Sequence, residues 1–415
     1  MKRIKLTAAV AIVLVASLAT AQNAVTDWNA IAIIAGRAST APGSATPGGE
    51  SVYIAYMQLA VYNAVNAIYG GFEPYKYTLT APVGASADAA TVEAAYRTLL
   101  HLLPDQTTYL TNQYVLSLAA ISNGPGKVSG QALGMASANA LIALRVGDGL
   151  GANVPYTWPG SPVPGVWIPT PPSFSKPQTP WLGQMRPFTF DDPAKFLPDE
   201  APPNLLSDTW TQDYNQTKTL GAINSTVRTP NQTEIAMFWT DHTTTQFGRL
   251  LRGLAAQRHL SLADTARLFA MAYAAEADSI IGCYNAKYYF SFWRPVTAIQ
   301  NGDIDGNPDT VADSTWMPLV ATPAHPEYPS AHCCLTGALA EVLKDYFGSP
   351  NLQLAIDSTV TGTTHTFNNV NDWQNEVENA RIYVGFHYHH SVVQGDLLGR
   401  KVAQFVTHNY FQPVN

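Results

Sequence analysis

Apolar residues recur at three- and four-residue intervals along most of the chain, which is the spacing of helices that bury one face. In the first part this pattern predicts four helices, over residues 51–70, 85–103, 107–122 and 126–145. The connections between them are short, which is typical of a helical bundle. The sequence therefore predicts a first bundle within residues 22–150.

The helical spacing stops in the middle of the chain. Fourteen of the 29 prolines lie between Pro155 and Pro203, and proline lacks a backbone donor and has a fixed φ. Regular helix and interior sheet are therefore excluded there. Interspersed aromatic residues indicate that the segment packs against the protein: Trp158, Trp167, Phe174 and Trp181. Residues 151–232 are predicted to be a packed connection between two bundles, and long ordered loops of this kind often carry function.

A second group of helices is predicted in the remaining part of the chain. The candidate helices cover residues 233–258, 261–295, 330–348, 372–390 and 391–411. Ser261 and Asp264 have the spacing of a capping box, and Gly348 is a typical C-terminal stop. No segment shows the alternation of a strand. The predicted fold class is therefore all-α, with two helical bundles joined by a long Pro-rich segment and the second bundle over residues 233–415.

Residues 1–21 have the pattern of a secretory signal peptide. Three basic residues precede an apolar stretch over residues 6–18, and Ala19-Thr20-Ala21 is a typical cleavage site. A membrane anchor is the alternative, although the apolar stretch is short for a bilayer. We therefore expect a secreted or periplasmic protein that has no membrane association after cleavage.

The net charge of the chain limits the classes of molecule that it is expected to bind. Cleavage would remove three of the 23 Lys and Arg residues and leave 20 against 30 Asp and Glu. This acidic balance argues against a nucleic-acid partner.

Cys283, Cys333 and Cys334 are the cysteines of the chain. An exported protein permits a disulfide from Cys283 to one of the other two, and buried free thiols are the alternative.

Candidate chemistry is concentrated in the second bundle, because nine of the ten histidines follow residue 240. His332 lies in the first turn of a predicted helix, and Ser330 is its natural N-cap. The first turn of a helix binds anions through its unpaired N–H groups. The Ser330 hydroxyl and the Ala331 N–H would donate to an oxyanion, while His332 would exchange protons with it. The alternative is a capped helix with a core histidine.

Two further segments contribute cations. Lys287 and Arg294 are seven residues apart, close to two helical turns, so we expect both on one largely apolar face. They would repel each other unless an anion lies between them, and ion pairs with Asp or Glu are the alternative. Arg381 and His387 lie about 120° apart on an ideal helix. Both reach one ligand only if the helix ends or distorts near Gly385.

Together the three segments resemble the vanadium-dependent haloperoxidase and type 2 phosphatidic acid phosphatase superfamily, whose pattern is K-x6-R-P, P-S-G-H and S-R-x5-H. Spacing and order agree at Lys287, Arg294 and Pro295, at Pro329, Ser330 and His332, and at Arg381 and His387. Ala331 replaces the glycine, Ala380 replaces the serine, and Ser391 replaces an aspartate that some members have. The long chain with its extra bundle is similar to the haloperoxidase branch.

The resemblance implies a vanadium haloperoxidase-like fold with vanadate as the cofactor. Five groups would bind the oxygens of the anion: Lys287, Arg294, Arg381, Ser330 and the Ala331 N–H. His387 would bind the metal axially, and His332 would act as acid–base on the opposite oxygen. Asp396 or a backbone carbonyl would orient His387.

The implied reaction is oxidation of halide by hydrogen peroxide to hypohalous acid, which then reacts with a small organic acceptor. In this branch the histidine at position 325 implies a preference for bromide or iodide. Separately, Asp241 lies on a predicted helix that faces the bundle and is a candidate partner of a site arginine, with a solvated surface carboxylate as the alternative. The same residues also imply an acid phosphatase with His387 as nucleophile. A non-catalytic oxyanion-binding protein and a zinc site at His387, His389 and His390 remain alternatives. A homodimer is a possible assembly.

Overall fold

The structure is a computed structural model that describes residues 23–414. The predicted signal peptide over residues 1–21 lies outside the described residues. The four helices predicted in the first bundle are confirmed, and an additional helix precedes them. The helices are α1 (Ala24–Ala38), α2 (Pro47–Tyr69), α3 (Ala87–Leu102), α4 (Thr107–Ala119) and α5 (Pro125–Leu144).

Eight more helices follow in the described part of the chain, and the predicted all-α fold class is confirmed. They are α6 (Asp208–Gly221), α7 (Pro230–Phe238), α8 (Thr243–Gln257), α9 (Leu262–Phe290), α10 (Pro295–Gln300), α11 (Ala331–Phe347), α12 (Val370–Tyr383) and α13 (His389–Asn409). None of these described helices is long and apolar enough to cross a lipid bilayer.

Residues 151–207 of the Pro-rich segment have little regular structure, as their prolines predict, whereas α6 and the start of α7 lie in the rest of the segment and were not predicted there. Its one helical turn before α6 is a 3-10 helix at Pro180–Gln184. Trp167 and Trp181 are buried, which confirms that the segment packs against the protein. Phe174 is 63% exposed and Trp158 is 38% exposed, so packing was predicted wrongly for these two.

The stretch over residues 233–258 is two helices, and the prediction of one helix was wrong. α7 ends at Phe238 and α8 begins at Thr243. Tertiary contacts hold the break between them: Asp241 accepts from the Thr359 N–H at 2.9 Å and pairs with Arg249 at 2.8 Å. The break contains no proline or glycine, so local sequence did not reveal it.

Two further predictions for the second part of the chain were wrong: the end of the helix predicted over residues 261–295, and the absence of strands. α9 ends at Phe290 rather than at Pro295, because Ser291 adopts a left-handed φ of 49°. Two short antiparallel strands are present, β1 (Leu354–Asp357) and β2 (Thr364–Phe367). Each has four residues, which is too short for a clear alternation of polar and apolar positions.

One hydrophobic core extends through both bundles. α2 of the first bundle packs along α9 of the second, and both helices are buried over most of their length. α11 and α13 pack closely because glycines lie at their contact. A Cβ at Gly399 would lie 2.2 Å from the Cys334 carbonyl oxygen, and one at Gly337 would lie 2.5 Å from the Asp396 carbonyl oxygen. This packing fixes the start of α11.

The cysteines do not form the disulfide that the sequence left open. Cys283, Cys333 and Cys334 are buried free thiols. They contribute to the apolar packing between α9 and α11, where a small polarisable side chain is commonly found.

Candidate active site

Lys287 and Arg294 reach one loop from the two sides of the break between α9 and α10. Lys287 lies in the last turn of α9, whereas Arg294 is extended and N-caps α10, with φ −77° and ψ 154°. The predicted shared helix face was therefore wrong. Lys287 Nζ donates to the Glu327 carbonyl at 2.9 Å, and Arg294 Nε donates to the His325 carbonyl at 2.9 Å. Both cations thus meet the loop that precedes α11.

The start of α11 presents donors without partners. Ser330 is the N-cap, as predicted, but its side chain makes no capping bond. Its Oγ is buried and has no partner among the described residues. The Ser330 N–H donates to the Ser391 carbonyl at 3.0 Å, which ties this turn to α13. A buried hydroxyl and the first N–H groups of a helix are therefore available to an anion.

Arg381 and His387 come together because the helix that carries Arg381 ends early. α12 ends at Tyr383, and Gly385 has a φ of +82°, a conformation that glycine tolerates. The His387 N–H then donates to the Arg381 carbonyl at 3.2 Å. A Cβ at Gly385 would also lie 2.7 Å from the Gly221 carbonyl oxygen. The predicted distortion near Gly385 is confirmed.

The three cations are buried without a counter-ion. Lys287, Arg294 and Arg381 are at most 1% exposed, and none pairs with a carboxylate among the described residues. Their partners are mainly carbonyl oxygens, such as that of Trp239 at 2.7 Å from Arg381 Nη1. Burial lowers the pKa of Lys287 to about 8, of Arg294 to about 10 and of Arg381 to about 9, so all three are charged at neutral pH. The ion-pair alternative is therefore wrong.

These cations act on both histidines of the predicted site. Burial lowers the pKa of His387 and of His332 well below 6.5, and the charges of Lys287, Arg294 and Arg381 lower both further. A charge lowers the pKa of a histidine strongly only when the two groups are close, so the three cations lie near both rings. We call these five side chains the cage. The structure thus brings together the residues that three separate segments contributed.

A carboxylate that the sequence analysis missed holds His387. Glu327 Oε1 accepts from His387 Nδ1 at 2.8 Å, and its Oε2 accepts from the Ser391 hydroxyl at 2.6 Å. Burial raises the pKa of Glu327 to about 7. Because Nδ1 donates to the carboxylate, Nε2 carries the lone pair, to which Arg294 Nη1 donates at 3.2 Å. This is the tautomer that a metal ligand requires.

The prediction that Asp396 orients His387 was wrong. Asp396 pairs with Arg400 at 2.6 Å and accepts from the Gln374 amide at 2.7 Å. Glu327 replaces the carboxylate that position 391 lacks, with Ser391 as its hydrogen-bond donor. Glu327 is the one acidic residue in the stretch from His325 to His332, and that position was the only sequence signal for it.

His332, the second histidine of the cage, and His325 beside it also have defined partners. His332 is partly exposed, and its Nε2 lies 2.8 Å from the Thr243 hydroxyl at the start of α8. Thr243 was not predicted. His325 is buried, and its Nδ1 accepts from Arg294 Nη2 at 3.0 Å. The predicted halide-selecting residue therefore contacts the cage directly.

Three predicted candidates lie elsewhere. Asp241 pairs with Arg249 rather than with a site arginine, so that prediction was wrong. His389 is exposed, and His390 Nε2 lies 3.0 Å from the Ala201 carbonyl. Neither histidine joins His387. Among residues 23–414 no group of three or more His, Cys, Asp or Glu side chains is arranged to hold a metal ion.

The residues of the cage fit a vanadate anion with one protein ligand. The three buried cations outnumber the one carboxylate that the described chain places nearby, Glu327, which bonds to His387. The excess positive charge therefore favours a negative guest, since an unpaired buried charge is costly. Arg381 Nε and Ser330 Oγ are buried donors with no partner in the described chain. The lone pair at His387 Nε2 would supply one nitrogen ligand. Free phosphate fits the same cations and donors but does not take that nitrogen as a ligand, whereas a phosphate ester would be attacked by it.

Comparisons with known proteins agree with this geometry. Residues 267–415 match a family described as the VCPO second helical-bundle domain. Vanadium chloroperoxidase of Curvularia inaequalis is 30% identical over 152 residues, covering 30% of this chain and 24% of that protein. The chain thus spans about a quarter of the length of that relative.

Solved structures share the fold over nearly the whole chain. A bacterial vanadium-dependent iodoperoxidase superposes with a TM-score of 0.78 at 22% identity, covering 94% of this chain and 96% of that one. An apo-type bacterial vanadium-dependent chloroperoxidase gives 0.71 at 15% identity, with coverage of 89% and 94%. At these identities the likeness shows a shared fold, and the family match over residues 267–415 is what supports the resemblance to the haloperoxidase branch.

Proposed function

We propose that this chain, whose second bundle matches that of the vanadium haloperoxidases, is a secreted vanadate-dependent haloperoxidase that oxidises halide with hydrogen peroxide to hypohalous acid. The observation that carries the proposal is the cage. It holds three buried cations without carboxylate partners beside a histidine nitrogen with its lone pair directed to them. This combination suits a tetraoxo anion whose central atom accepts one nitrogen ligand.

Each residue has a separate task in the proposed reaction. Lys287, Arg294 and Arg381 bind the oxygens of the anion, and Ser330 adds a donor. His387 would supply a nitrogen ligand from Nε2, and Glu327 keeps the ring in the tautomer that leaves this nitrogen free. Bound vanadate supplies a Lewis-acidic centre that activates hydrogen peroxide without a change of oxidation state.

His332 is the residue that transfers the proton which the proposed reaction consumes. Oxidation of one halide ion by hydrogen peroxide consumes one proton and gives hypohalous acid and water. His332 is partly exposed, and its lowered pKa keeps it neutral near pH 7. It is therefore available to take a proton from solvent and pass it to an oxygen in the cage.

Halide preference and location complete the proposal. The contact of His325 with Arg294 supports a role in halide selection, and we expect bromide or iodide rather than chloride. Hypohalous acid would react with a small organic acceptor. Export is proposed from the sequence of residues 1–21, and N-terminal sequencing of the secreted protein should find Gln22 first.

A halide-oxidation assay tests the proposed function. Purified protein loaded with vanadate should brominate a phenolic dye when bromide and hydrogen peroxide are present, and excess phosphate should suppress the activity. A loaded protein that oxidises neither bromide nor iodide would refute the proposal. Hydrolysis of nitrophenyl phosphate by the vanadate-free protein, inhibited by vanadate, would favour the phosphatase alternative.

A further inference from the structure

The hydroxyl of Thr243 contacts one ring nitrogen of His332. Thr243 Oγ1 lies 2.8 Å from His332 Nε2, and no other partner of this hydroxyl is present among the described residues. Thr243 is 1% exposed, so solvent does not replace a missing partner. A buried O–H group requires an acceptor, and the only one in contact is Nε2.

We propose that Thr243 is a positioning residue that holds His332 in the tautomer with the proton on Nδ1. Neutral imidazole has one N–H and one acceptor nitrogen, so its tautomer follows from the hydrogen-bond network. Because Thr243 donates to Nε2, the ring proton lies on Nδ1, which bonds to no group of the described chain. The inference rests on the proposed function, in which His332 faces an anion.

The tautomer matters for what a neutral His332 can do. With the proton on Nδ1 the ring donates to an oxygen of a bound anion without carrying charge. The lowered pKa of His332, caused by burial and by nearby cations, is consistent with a neutral ring. When Nε2 gains a proton, the Thr243 hydroxyl rotates and accepts from it, so the contact persists in both states.

The first bundle holds Thr243 in place. The Thr244 hydroxyl donates to the Pro47 carbonyl at 2.6 Å, at the start of α2. The ring of His242 lies between Glu50 Oε2 and the Ala45 carbonyl, each at 3.2 Å. These contacts join the beginning of α8 to the beginning of α2. The first bundle thereby acts on the proton chemistry of the second.

Nitrogen NMR of the vanadate-free protein tests the assignment. Protein labelled with ¹⁵N-histidine reports which ring nitrogen carries the proton, and His332→Gln identifies the resonances. We expect a Nδ1-protonated ring in the wild type, in Thr243→Ser and in the control Thr219→Val, whose hydroxyl donates to the Asn215 carbonyl instead of contacting a histidine. In Thr243→Val the preference should be lost. A Nε2-protonated wild type, or an unchanged tautomer in Thr243→Val, would overturn the inference.

Activity separates this inference from the proposed function. Halide oxidation by vanadate-loaded Thr243→Val should fall about 10-fold, the effect of one lost hydrogen bond, while Thr243→Ser stays within about 2-fold of the wild type. Full activity in folded Thr243→Val would also contradict the inference. If even the wild type oxidises no halide, the proposed function fails, whereas the NMR result still decides the role of Thr243.

Discussion

Replacing Glu327 by glutamine tests how the protein prepares His387 as a ligand. The carboxylate accepts from His387 Nδ1, from the Tyr388 N–H at 3.2 Å and from the Ser391 hydroxyl. Glutamine has nearly the same shape, and its amide oxygen can still accept from Nδ1. The substitution therefore removes the charge and leaves the packing intact.

The expected effect follows from these contacts. A hydrogen bond to a charged group contributes about 1 kcal/mol more than a neutral one, and loss of a group that orients a metal ligand typically weakens metal binding about 10- to 100-fold. In the flipped orientation the glutamine amide would donate to Nδ1 and leave no lone pair at Nε2 for this role. We expect the Kd for vanadate to rise within that range.

Calorimetric titration of vanadate into wild type and Glu327→Gln measures the effect at one pH. Thermal unfolding of the ligand-free proteins should show no loss of stability, because burial raises the pKa of Glu327 to about 7 and its charge is therefore unfavourable. Ser391→Ala is the matched control, since it keeps the carboxylate, and its effect should be smaller. Unchanged vanadate affinity in folded Glu327→Gln would refute the reasoning.

Three further substitutions have defined outcomes. Arg381→Met should weaken phosphate binding about 30-fold, since a buried charged contact contributes about 2 kcal/mol, and a phosphate-dependent shift in Tm measures this. The pKa of Glu50 is raised by burial from 4.5 to about 8, so the folded protein holds this proton more tightly than the unfolded chain. Stability should therefore fall as the pH rises between those values, and less so in Glu50→Gln; denaturant titrations at about pH 5 and about pH 8 that show equal losses would contradict this. Gly399→Ala places a Cβ 2.2 Å from the Cys334 carbonyl oxygen and should destabilise by about 3 kcal/mol. The control Gly253→Ala meets nothing within 4 Å and should stabilise α8 by about 0.5–1 kcal/mol.

Long helices with an apolar stripe were predictable from the sequence, and the exceptions have physical reasons. α6 buries Trp210, Tyr214 and Thr217 on one face, but polar residues separate them and prolines precede the helix. The break between α7 and α8 depends on Asp241 and His242, whose partners are distant in sequence. The helix propensities of neighbouring residues carry no information about contacts with residues that are distant in sequence.

The candidate site shows the same division. The motifs of three segments carry the resemblance that implied the members of the cage, because each motif lies within one short stretch of sequence. Glu327 and Thr243 act through contacts across 60 and 89 positions, and no spacing pattern reveals a pair of that kind. Arg294 was predicted on the same helix as Lys287. The helix ends before Arg294, and the extended backbone there directs its side chain to the cage.

Vanadate and phosphate titrations of wild type and His387→Ala test the central claim most directly. On the proposed function, the cations of the cage would bind either anion, whereas the His387 nitrogen would contribute to binding of free vanadate and not of free phosphate. Wild type should bind one vanadate per chain more tightly than phosphate, and phosphate should displace it. His387→Ala should bind both anions with similar affinity. A wild-type protein without a saturable vanadate site, or with one that phosphate does not displace, would contradict the account.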